Sequence, residues 1–399
     1  MIENKSEQFL VEKFRNFYEQ HRVEQPPAVE KREFGFGVFK RKIADRHLAF
    51  RNYNELNAFL REEVPFYLSY SSAYYRFPEA QPMSEKGLQG ADLVYEFDVD
   101  DFKLDCQQGH NFWRCPQCAA EGKGNVQHCT SCSSKTLVEE WVCPECMKAV
   151  KEQVMKLVDV LRDTFSFQDF SVNYSGAKGF HVHVRSSSVQ QFPHSARVEL
   201  VNFLMGQGIE MENVLALSPQ QSKGWGKKAW SALDELLRKA DADSLAGISG
   251  SRSKECGKWL EERERILSDL KSGKRFPWLS KKNHPAFWKS LFEHVMRPQF
   301  LPIDRQTSID IAKIVRCPET LHGGTGLVAK IVPLEQLASF DPLSQAIGFS
   351  TQSTVKLAVS KTPKFFLAGQ WWGPFENEIL ELPEAVAVYL LARGSAEVK

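Results

Sequence analysis

The chain has 399 residues, of which 42% are hydrophobic and 25% charged, which is the composition of an ordinary globular protein. Its 51 lysines and arginines almost balance its 50 aspartates and glutamates, and the formal net charge of +1 excludes a histone-like or polybasic protein. The longest apolar run, about Ala385–Ala392, is far shorter than the roughly 20 residues that a membrane span needs. We therefore expect a cytoplasmic protein of two or three structural units, with no membrane partner.

The hydrophobic pattern predicts an α/β (α+β) chain in which helices and strands are interspersed. In chain order the predicted helices are Glu7–Tyr18, Glu145–Phe165, Arg197–Gly206 and Ser308–Val315. The predicted strands are Arg32–Phe39, Arg46–Phe50, Ala91–Asp101, Phe170–Tyr174, Phe180–Val184 and Phe300–Asp304. Residues 223–297 hold 17 lysines and arginines against 10 acidic residues, together with five of the nine tryptophans, and we expect a helical insertion there.

Two aspartates stand at alternate positions near the end of the strand predicted at Ala91–Asp101. Because side chains alternate between the faces of a strand, the carboxylates of Asp98 and Asp100 are expected on one face. Between Phe97 and Val99 that face is half-buried, and two carboxylates there repel each other unless a cation lies between them. Hard oxygen ligands select Mg²⁺ or Mn²⁺, the metals of phosphoryl and nucleotidyl transfer. The alternative is a strand end whose acids are only solvated.

Seven of the nine cysteines lie between Cys106 and Cys146, and six of them form three CxxC pairs. In a reducing compartment such pairs indicate Zn²⁺ held by four ligands rather than disulfides. We expect a zinc-binding module at about residues 105–147 with two nested structural sites. An outer group would consist of Cys106, His110, Cys143 and Cys146, and an inner group of Cys115, Cys118, Cys129 and Cys132. The alternative is a single site formed by the first two CxxC pairs.

A glycine-rich turn follows the strand predicted at Phe170–Tyr174. It offers backbone N–H groups, the hydroxyl of Ser175 and the ammonium of Lys178 to an anion such as phosphate. His181 follows on the next predicted strand. The alternative is a plain hairpin turn that happens to contain a lysine.

A second glycine-rich loop begins at Arg316 and contains His322. It therefore combines a permanent cation and an imidazole with flexible backbone, which is again typical of phosphate binding. Twelve residues before Arg316, Asp304 is expected to end the strand that starts at Phe300.

The order of these motifs resembles that of the small, catalytic subunit of archaeal and eukaryotic DNA primases. The motifs are, in order, Arg-Glu-Phe-Gly-Phe, the Asp-x-Asp strand, the Cys/His segment, Ser-Gly-x-x-Gly-x-His, the strand-ending aspartate and Arg-x-Pro-x-x-Leu-His-x-x-Thr-Gly. The resemblance runs from about Arg32 to Leu327. It implies a mixed-sheet primase-polymerase catalytic core with an inserted zinc module and a helical subdomain. The expected domains are a core in two parts, 1–217 and 299–399, around a helical insertion at 218–298.

The resemblance also implies roles for individual residues. Asp98, Asp100 and Asp304 would be the catalytic ligands of Mg²⁺ or Mn²⁺. The nucleotide-binding residues would be Ser175, Lys178, His181, Arg316 and His322, with Glu33 and Arg46 near the initiating nucleotide. Ala177 stands where relatives often have a basic residue. The outer group aligns with the single zinc site of the family, and a second zinc in the inner group is predicted from spacing alone.

The function that the resemblance implies is metal-dependent synthesis of short primers on a single-stranded DNA template from nucleoside triphosphates. The expected partner is the large primase subunit, which carries an iron–sulfur cluster, and the expected location in a prokaryote is the nucleoid. Two alternatives are a stand-alone primase-polymerase of DNA repair and a non-catalytic, zinc-ribbon protein that binds nucleic acid.

Overall fold

A computed structural model describes residues 5–215, 217–272 and 285–399. The predicted mixed α/β fold is confirmed. The chain forms two compact units, of which the first contains the segment up to Met155 together with Phe167–Arg197 and Ile303–Lys399. The second contains Lys156–Ser166 and Val198–Pro302. The domain limits at 217 and 298 stay a prediction, and residues 273–284 of the predicted helical insertion lie outside the described residues.

The helices of the described residues are α1 Lys5–Gln20, α2 Tyr53–Glu63, α3 Gln107–His110, α4 Pro144–Asp163, α5 Ser187–Gln190, α6 His194–Leu204, α7 Met211–Val214, α8 Gly224–Lys239, α9 Ala242–Ser249, α10 Ser253–Glu261, α11 Arg263–Ser272, α12 Pro285–Met296, α13 Arg305–Ile309, α14 Leu334–Leu337, α15 Pro342–Gln345 and α16 Glu384–Arg393. Their strands are β1 Phe34–Val38, β2 Arg41–Leu48, β3 Tyr67–Ser71, β4 Ala73–Tyr75, β5 Leu88–Ala91, β6 Leu93–Asp98, β7 Phe112–Arg114, β8 Glu121–Lys123, β9 Leu137–Glu139, β10 Phe170–Tyr174, β11 Gly179–Val184, β12 Ile314–Arg316, β13 Ile331–Val332, β14 Thr354–Val359, β15 Phe365–Leu367, β16 Gln370–Trp372, β17 Glu378–Pro383 and β18 Ala396–Val398. Within the described residues, no helix combines the length and the apolar character that crossing a bilayer requires.

Two four-stranded sheets form the centre of the first unit. The first sheet has the order β12-β3-β1-β2 and the second the order β13-β10-β11-β6. All neighbouring strands in both are antiparallel. Strand β11 is buried along its whole length, which explains its unbroken apolar and histidine sequence. The predicted strand pair around the Ser175 turn is therefore confirmed.

Helices α1 and α16 contribute buried faces to the core of the first unit. Helix α1 buries one face, with Leu10, Phe14, Phe17 and Tyr18 spaced by one helical turn. Helix α16 is buried on every side from Ala385 to Ala392 and ends at Gly394, whose φ of 76° is accessible to glycine without strain. The longest apolar run of the sequence is thus the central helix of a globular core.

The predicted zinc-binding module contains a small antiparallel sheet of order β8-β7-β9. Trp113 packs there with Cys115 and Cys129 in an apolar cluster of its own. The second unit has a separate core, in which Trp225, Trp230 and Trp288 are buried. These tryptophans of the basic segment therefore stabilise a helical bundle.

Three local predictions are wrong. Residues 300–304 are not a strand, because Asp304 is the N-cap of α13 and accepts hydrogen bonds from the N–H groups of Gln306 and Thr307. The helix predicted at Ser308–Val315 is replaced by the end of α13 and by β12, which pairs with β3. Asp100 lies outside β6, in a 3₁₀ turn over Val99–Asp101.

A buried ion pair joins β6 to the first sheet. The guanidinium of Arg32 lies 2.8 Å from a carboxylate oxygen of Asp92, and neither side chain has exposed surface. Arg32 also donates to the carbonyl oxygens of Ser71 and Ser72, at 3.0 and 2.7 Å. The hydroxyl of Tyr74 donates to the second oxygen of Asp92 at 2.8 Å. Loss of Arg32 or Asp92 would therefore leave buried hydrogen-bonding groups without their partners.

Asp92→Asn is expected to lower the free energy of unfolding by about 3–5 kcal/mol, because it leaves the buried charge of Arg32 without a counter-ion. Urea denaturation followed by circular dichroism measures the loss. The control is Glu24→Gln, which removes an exposed ion pair with Arg22 and should change stability by less than about 0.5 kcal/mol. Equal losses in the two variants would contradict the prediction.

Candidate active site

An open cleft of about 320 Å³ in the first unit is lined by residues of both four-stranded sheets. The first sheet contributes Lys42, Ile43, Ser69, Ile314, Val315 and Arg316. The second sheet and its turns contribute Glu96, Asp98, Asp100, Ser175, Ala177, Lys178 and His181, and Lys313 and His322 complete the lining. Most of the predicted site residues therefore meet in one cleft.

Three acidic residues of the cleft lie at the end of β6. Burial, followed by the negative charge of Glu96, raises the pKa of Asp98 to about 6. Burial would also raise the pKa of Glu96, but hydrogen bonds from His181 and Thr307 lower it to about 2. Asp100 follows on the 3₁₀ turn, so the two aspartates reach the same cleft although they do not share a strand face.

Gly179 is required by the position of Asp98. A β-carbon on residue 179 would lie 2.0 Å from a carboxylate oxygen of Asp98 and 2.1 Å from the carbonyl oxygen of Phe97. Gly179 and Asp98 are paired across β11 and β6. The missing side chain of Gly179 thus makes the space that the Asp98 carboxylate occupies.

Asp304 is joined to the cleft through Thr307 and Lys313. The hydroxyl of Thr307 lies 2.6 Å from an oxygen of Asp304 and 2.8 Å from an oxygen of Glu96. The ammonium of Lys313 lies 3.5 Å from Asp304 and 3.9 Å from Glu96. Burial alone would raise the pKa of Asp304. The hydrogen bond from Thr307 and the charge of Lys313 outweigh burial, and the pKa of Asp304 is lowered.

The three predicted metal ligands do not form a close group. Over the described residues, sets of three or more ligand atoms within 4.8 Å of one another occur in the outer and inner groups and not among Asp98, Asp100 and Asp304. The reason is that Asp100 binds Lys178 and Asp304 binds Thr307 and Lys313. The donor set still fits a hard divalent cation, because carboxylate oxygens are the ligands that such a cation prefers and the buried carboxylate of Asp98, whose pKa is raised, gains from a positive charge beside it.

The turn between β10 and β11 is organised by Ser175. Its hydroxyl oxygen accepts hydrogen bonds from the N–H groups of Gly179 and Ala177, at 3.2 and 3.4 Å. Lys178 lies 2.9 Å from Asp100 and also contacts Glu140. The predicted phosphate-binding lysine is therefore paired with two carboxylates.

Arg316 and His322 form a cationic and hydrogen-bonding end of the cleft. Arg316 donates to the carbonyl oxygen of Leu68 at 3.1 Å, lies 5.0 Å over the ring of Tyr67 and has no ion-pair partner within the described residues. The N–H of Gly324 donates to Nδ1 of His322 at 3.2 Å, which assigns the proton of the neutral ring to Nε2. Burial, helped by the charge of Arg316, lowers the pKa of His322 well below its usual range.

Glu33 and Arg46 are brought together, but outside the lining of the cleft. Glu33 is fully buried and lies 2.7 Å from Arg46, 3.3 Å from His47 and 3.6 Å from Lys86. Arg46 also donates to the carbonyl oxygen of Ala312 at 2.9 Å, just before β12. Their place near an initiating nucleotide stays a prediction.

The two cysteine groups are assembled as the spacing predicts. In the outer group, Sγ of Cys146 lies 3.5 Å from Sγ of Cys106, 3.7 Å from Sγ of Cys143 and 3.3 Å from Nε2 of His110. In the inner group, the two closest sulfur pairs are 3.5 and 3.6 Å apart. A zinc ion with bonds of about 2.3 Å to tetrahedral thiolates separates sulfurs by roughly 3.8 Å, so both donor sets fit zinc.

His183 gives the fold a pH dependence. The side chain is fully buried and stacked on Tyr70, and burial lowers its pKa well below its usual range. The unfolded chain takes up a proton near pH 6.5 and the folded chain only at lower pH, so this residue's contribution to stability is complete above pH 6.5 and is lost below it. We expect the uptake of a proton by His183 in the unfolded chain to lower the free energy of unfolding by about 1.4 kcal/mol between pH 7.5 and 5.5.

The measurement is urea denaturation at both pH values for wild type and His183→Gln. The variant should lose less stability than wild type on acidification, by about that amount. An identical loss in the two proteins would contradict the assignment.

Several residues of the site were not predicted. Glu96 has a signal in the sequence, because it shares a strand face with Asp98, although the motif order does not single it out. Lys42, Lys313 and Glu140 had no local signal, because their roles follow from contacts between segments that are distant in the chain.

Comparison with known proteins shows the family of the chain. The family model of the DNA primase small subunit matches residues 134–334. The DNA primase small subunit PriS of Methanosphaerula palustris is 30% identical to the chain over 98% of its length and 97% of the relative. PriS of Methanothrix thermoacetophila is 28% identical over the whole of both chains, and PriS of Nitrosopumilus maritimus is 29% identical over 98% of each. The chain therefore belongs to the family of DNA primase small subunits.

Proposed function

We propose that the chain is the nucleotidyltransferase of a DNA primase, which joins nucleoside triphosphates into short primers on a single-stranded DNA template during replication. The observation that carries this proposal is the cleft in which the carboxylates of Asp98 and Asp100 lie together with Lys178, Arg316 and His322. Acidic and phosphate-binding groups occur together where a metal-bound phosphate group is the substrate, and a metal-bound nucleoside triphosphate is such a substrate. Membership of the primase family supports the same reaction.

Asp98, Asp100 and Asp304 would hold Mg²⁺ or Mn²⁺. The bound cation would lower the pKa of the attacking 3′-hydroxyl and neutralise charge on the α-phosphate. Thr307 and Lys313 orient the carboxylate of Asp304 toward this end of the cleft.

The triphosphate would bind along the remaining wall. Arg316 has two properties of a phosphate ligand, since the residue lines the cleft and no described carboxylate forms an ion pair with its guanidinium. Nε2–H of neutral His322 would donate a further hydrogen bond. His181, which lies 3.4 Å from Glu96, connects this wall to the acidic end. Together these groups would hold the triphosphate for in-line attack.

The two cysteine groups would hold structural zinc. All four positions around each ion are filled by protein ligands, which is typical of a structural site rather than a catalytic one.

We also propose that the chain acts with a large primase subunit. Its net charge of +1 supports a protein that gains part of its affinity for the DNA template from a partner. The single-stranded DNA affinity of the isolated chain should be weaker than that of the complex, by fluorescence anisotropy in one buffer, and equal affinities would contradict the proposal.

The test of the function is primer synthesis without a primer. The chain, alone and with its large subunit, is given labelled nucleoside triphosphates, Mg²⁺ or Mn²⁺ and a single-stranded template. Labelled oligonucleotides complementary to the template are the expected product. If neither preparation makes them with either metal, the proposed reaction is wrong.

A further inference from the structure

Lys178 lies between two carboxylates that belong to different parts of the first unit. Its ammonium is 2.9 and 3.1 Å from the two oxygens of Asp100, and it also contacts the carboxylate of Glu140. Asp100 is on the turn that follows β6, whereas Glu140 follows β9 of the zinc-binding module. All three side chains are about one-third to one-half exposed, so the ammonium can exchange partners without being stripped of water.

The backbone at Glu140 is fixed on both sides. The guanidinium of Arg393, at the end of α16, donates to the carbonyl oxygen of Glu140 at 2.6 Å and lies 3.9 Å over the ring of Trp141. Trp141 is only 1% exposed, and its backbone N–H donates to the side-chain oxygen of Asn111 at 2.9 Å. Glu140 therefore presents its carboxylate from a rigid support.

That support continues into the outer group. The same oxygen of Asn111 lies 2.9 Å from Nδ1 of His110, whose Nε2 faces Cys146 at 3.3 Å. A ligand histidine whose other nitrogen donates a hydrogen bond is held in one tautomer and orientation. A continuous set of hydrogen bonds thus connects the outer group with the position of Glu140.

Asp100 cannot serve Lys178 and a divalent cation equally well. In the structure both of its oxygens contact the ammonium, and a dication on the same oxygens would repel that ammonium strongly at this distance. Glu140 offers Lys178 a second carboxylate within reach of the same position.

We propose that Glu140 is a positioning residue that keeps Lys178 at the edge of the cleft but draws it off Asp100 when a divalent cation binds there. This inference rests on the proposed function, in which Asp100 is a metal ligand. Without Glu140, Lys178 has Asp100 as its remaining carboxylate partner and competes with the cation for it. Glu140 therefore sets the metal affinity of the site without touching metal or substrate.

The test measures Mn²⁺ binding directly, from the electron paramagnetic resonance signal of the free ion, with no nucleotide present. Glu140→Gln is expected to raise the dissociation constant about 3–10-fold, and Glu140→Asp less. The matched control is Glu139→Gln, because Glu139 bonds the ring nitrogen of Trp141 at 3.0 Å and does not contact Lys178. It should leave the constant within about two-fold of wild type. Zinc content confirms that every variant keeps its module.

Lys178→Met separates this role from a simple effect of charge. In the Lys178→Met background, Glu140→Gln should change the Mn²⁺ dissociation constant by less than about two-fold, because the competing ammonium is gone. If the full effect of Glu140→Gln persists there, or if Glu140→Gln has no effect in the wild-type background, the inference is overturned. A wild type that binds no Mn²⁺ also overturns it.

Primer synthesis gives the second readout. Glu140→Gln should raise the Mg²⁺ concentration for half-maximal rate by the same factor, with nearly unchanged rate at saturating Mg²⁺. A wild type that makes no primers would refute the proposed function, while the Mn²⁺ measurement would still decide the role of Glu140.

Discussion

Asp98→Asn is expected to reduce primer synthesis by at least about 10³-fold, equivalent to about 4 kcal/mol of activation free energy. The replacement keeps the size of the side chain in the space beside Gly179 but removes the charge that would hold the catalytic cation. Primer synthesis from labelled nucleoside triphosphates measures the effect, and Asp100→Asn should behave alike.

The fold should not suffer from Asp98→Asn. Burial and the charge of Glu96 raise the pKa of Asp98 to about 6, so its ionisation at neutral pH costs the folded chain more free energy than it costs the unfolded chain. We expect the thermal unfolding midpoint of the variant to be unchanged or higher. A site whose loss stabilises the protein is one kept for function.

The matched control is Asp101→Asn, one residue after Asp100 on the same 3₁₀ turn. Asp101 does not line the cleft. Its side-chain oxygen accepts a hydrogen bond from the backbone N–H of Asp98, and the amide oxygen of asparagine can accept the same hydrogen bond. Its activity should stay within about three-fold of wild type. If Asp98→Asn keeps more than a tenth of the activity, or if Asp101→Asn falls as far, the catalytic assignment is wrong.

Loss of the outer group is expected to destabilise the fold strongly and to remove a metal ion as well. Cys146→Ser should remove one zinc ion per chain and lower the free energy of unfolding by at least about 3 kcal/mol. Cys146 is fully buried in the first turn of α4, and the group holds Trp141 through His110 and Asn111. Elemental analysis of zinc and urea denaturation measure the two effects.

The inner group supplies the comparison. Cys118→Ser should also remove one zinc ion, but the free energy of unfolding of the core should fall by less than about 1 kcal/mol. The apolar cluster around Trp113 involves residues of the module alone, so the module can open by itself. A wild type with fewer than two zinc ions, or equal loss of stability in the two variants, would contradict this division of roles.

The parts of the site that depend on short-range sequence could be predicted. The turn at Ser175, with a strand on either side, follows from apolar alternation interrupted by glycine. The grouping of cysteines follows from CxxC spacing, because two residues between ligands allow both sulfurs to face one ion. In each case the residues that interact are neighbours in sequence or share a motif.

The region around Asp304 could not be predicted for the opposite reason. Its short apolar segments fit a strand or a helix equally well. Ile314–Arg316 becomes a strand because it pairs with β3, far earlier in the chain, and Asp304 becomes a helix cap because Gln306 and Thr307 turn back onto it. The roles of Lys313 and Glu140 likewise arise from contacts that only the folded chain creates.

The interrupted first unit has a consequence for synthesis on the ribosome. Strands β3 and β10 emerge early, but their outer neighbours β12 and β13 follow only after Val198–Pro302 has been translated. At about 5–20 residues per second, that intervening segment of roughly 100 residues delays them by about 5–20 s. During this interval two sheet edges of the nascent chain are open to wrong pairing. Slow codons within the helical segment would therefore be expected to increase aggregation, whereas slow codons after β13 would not.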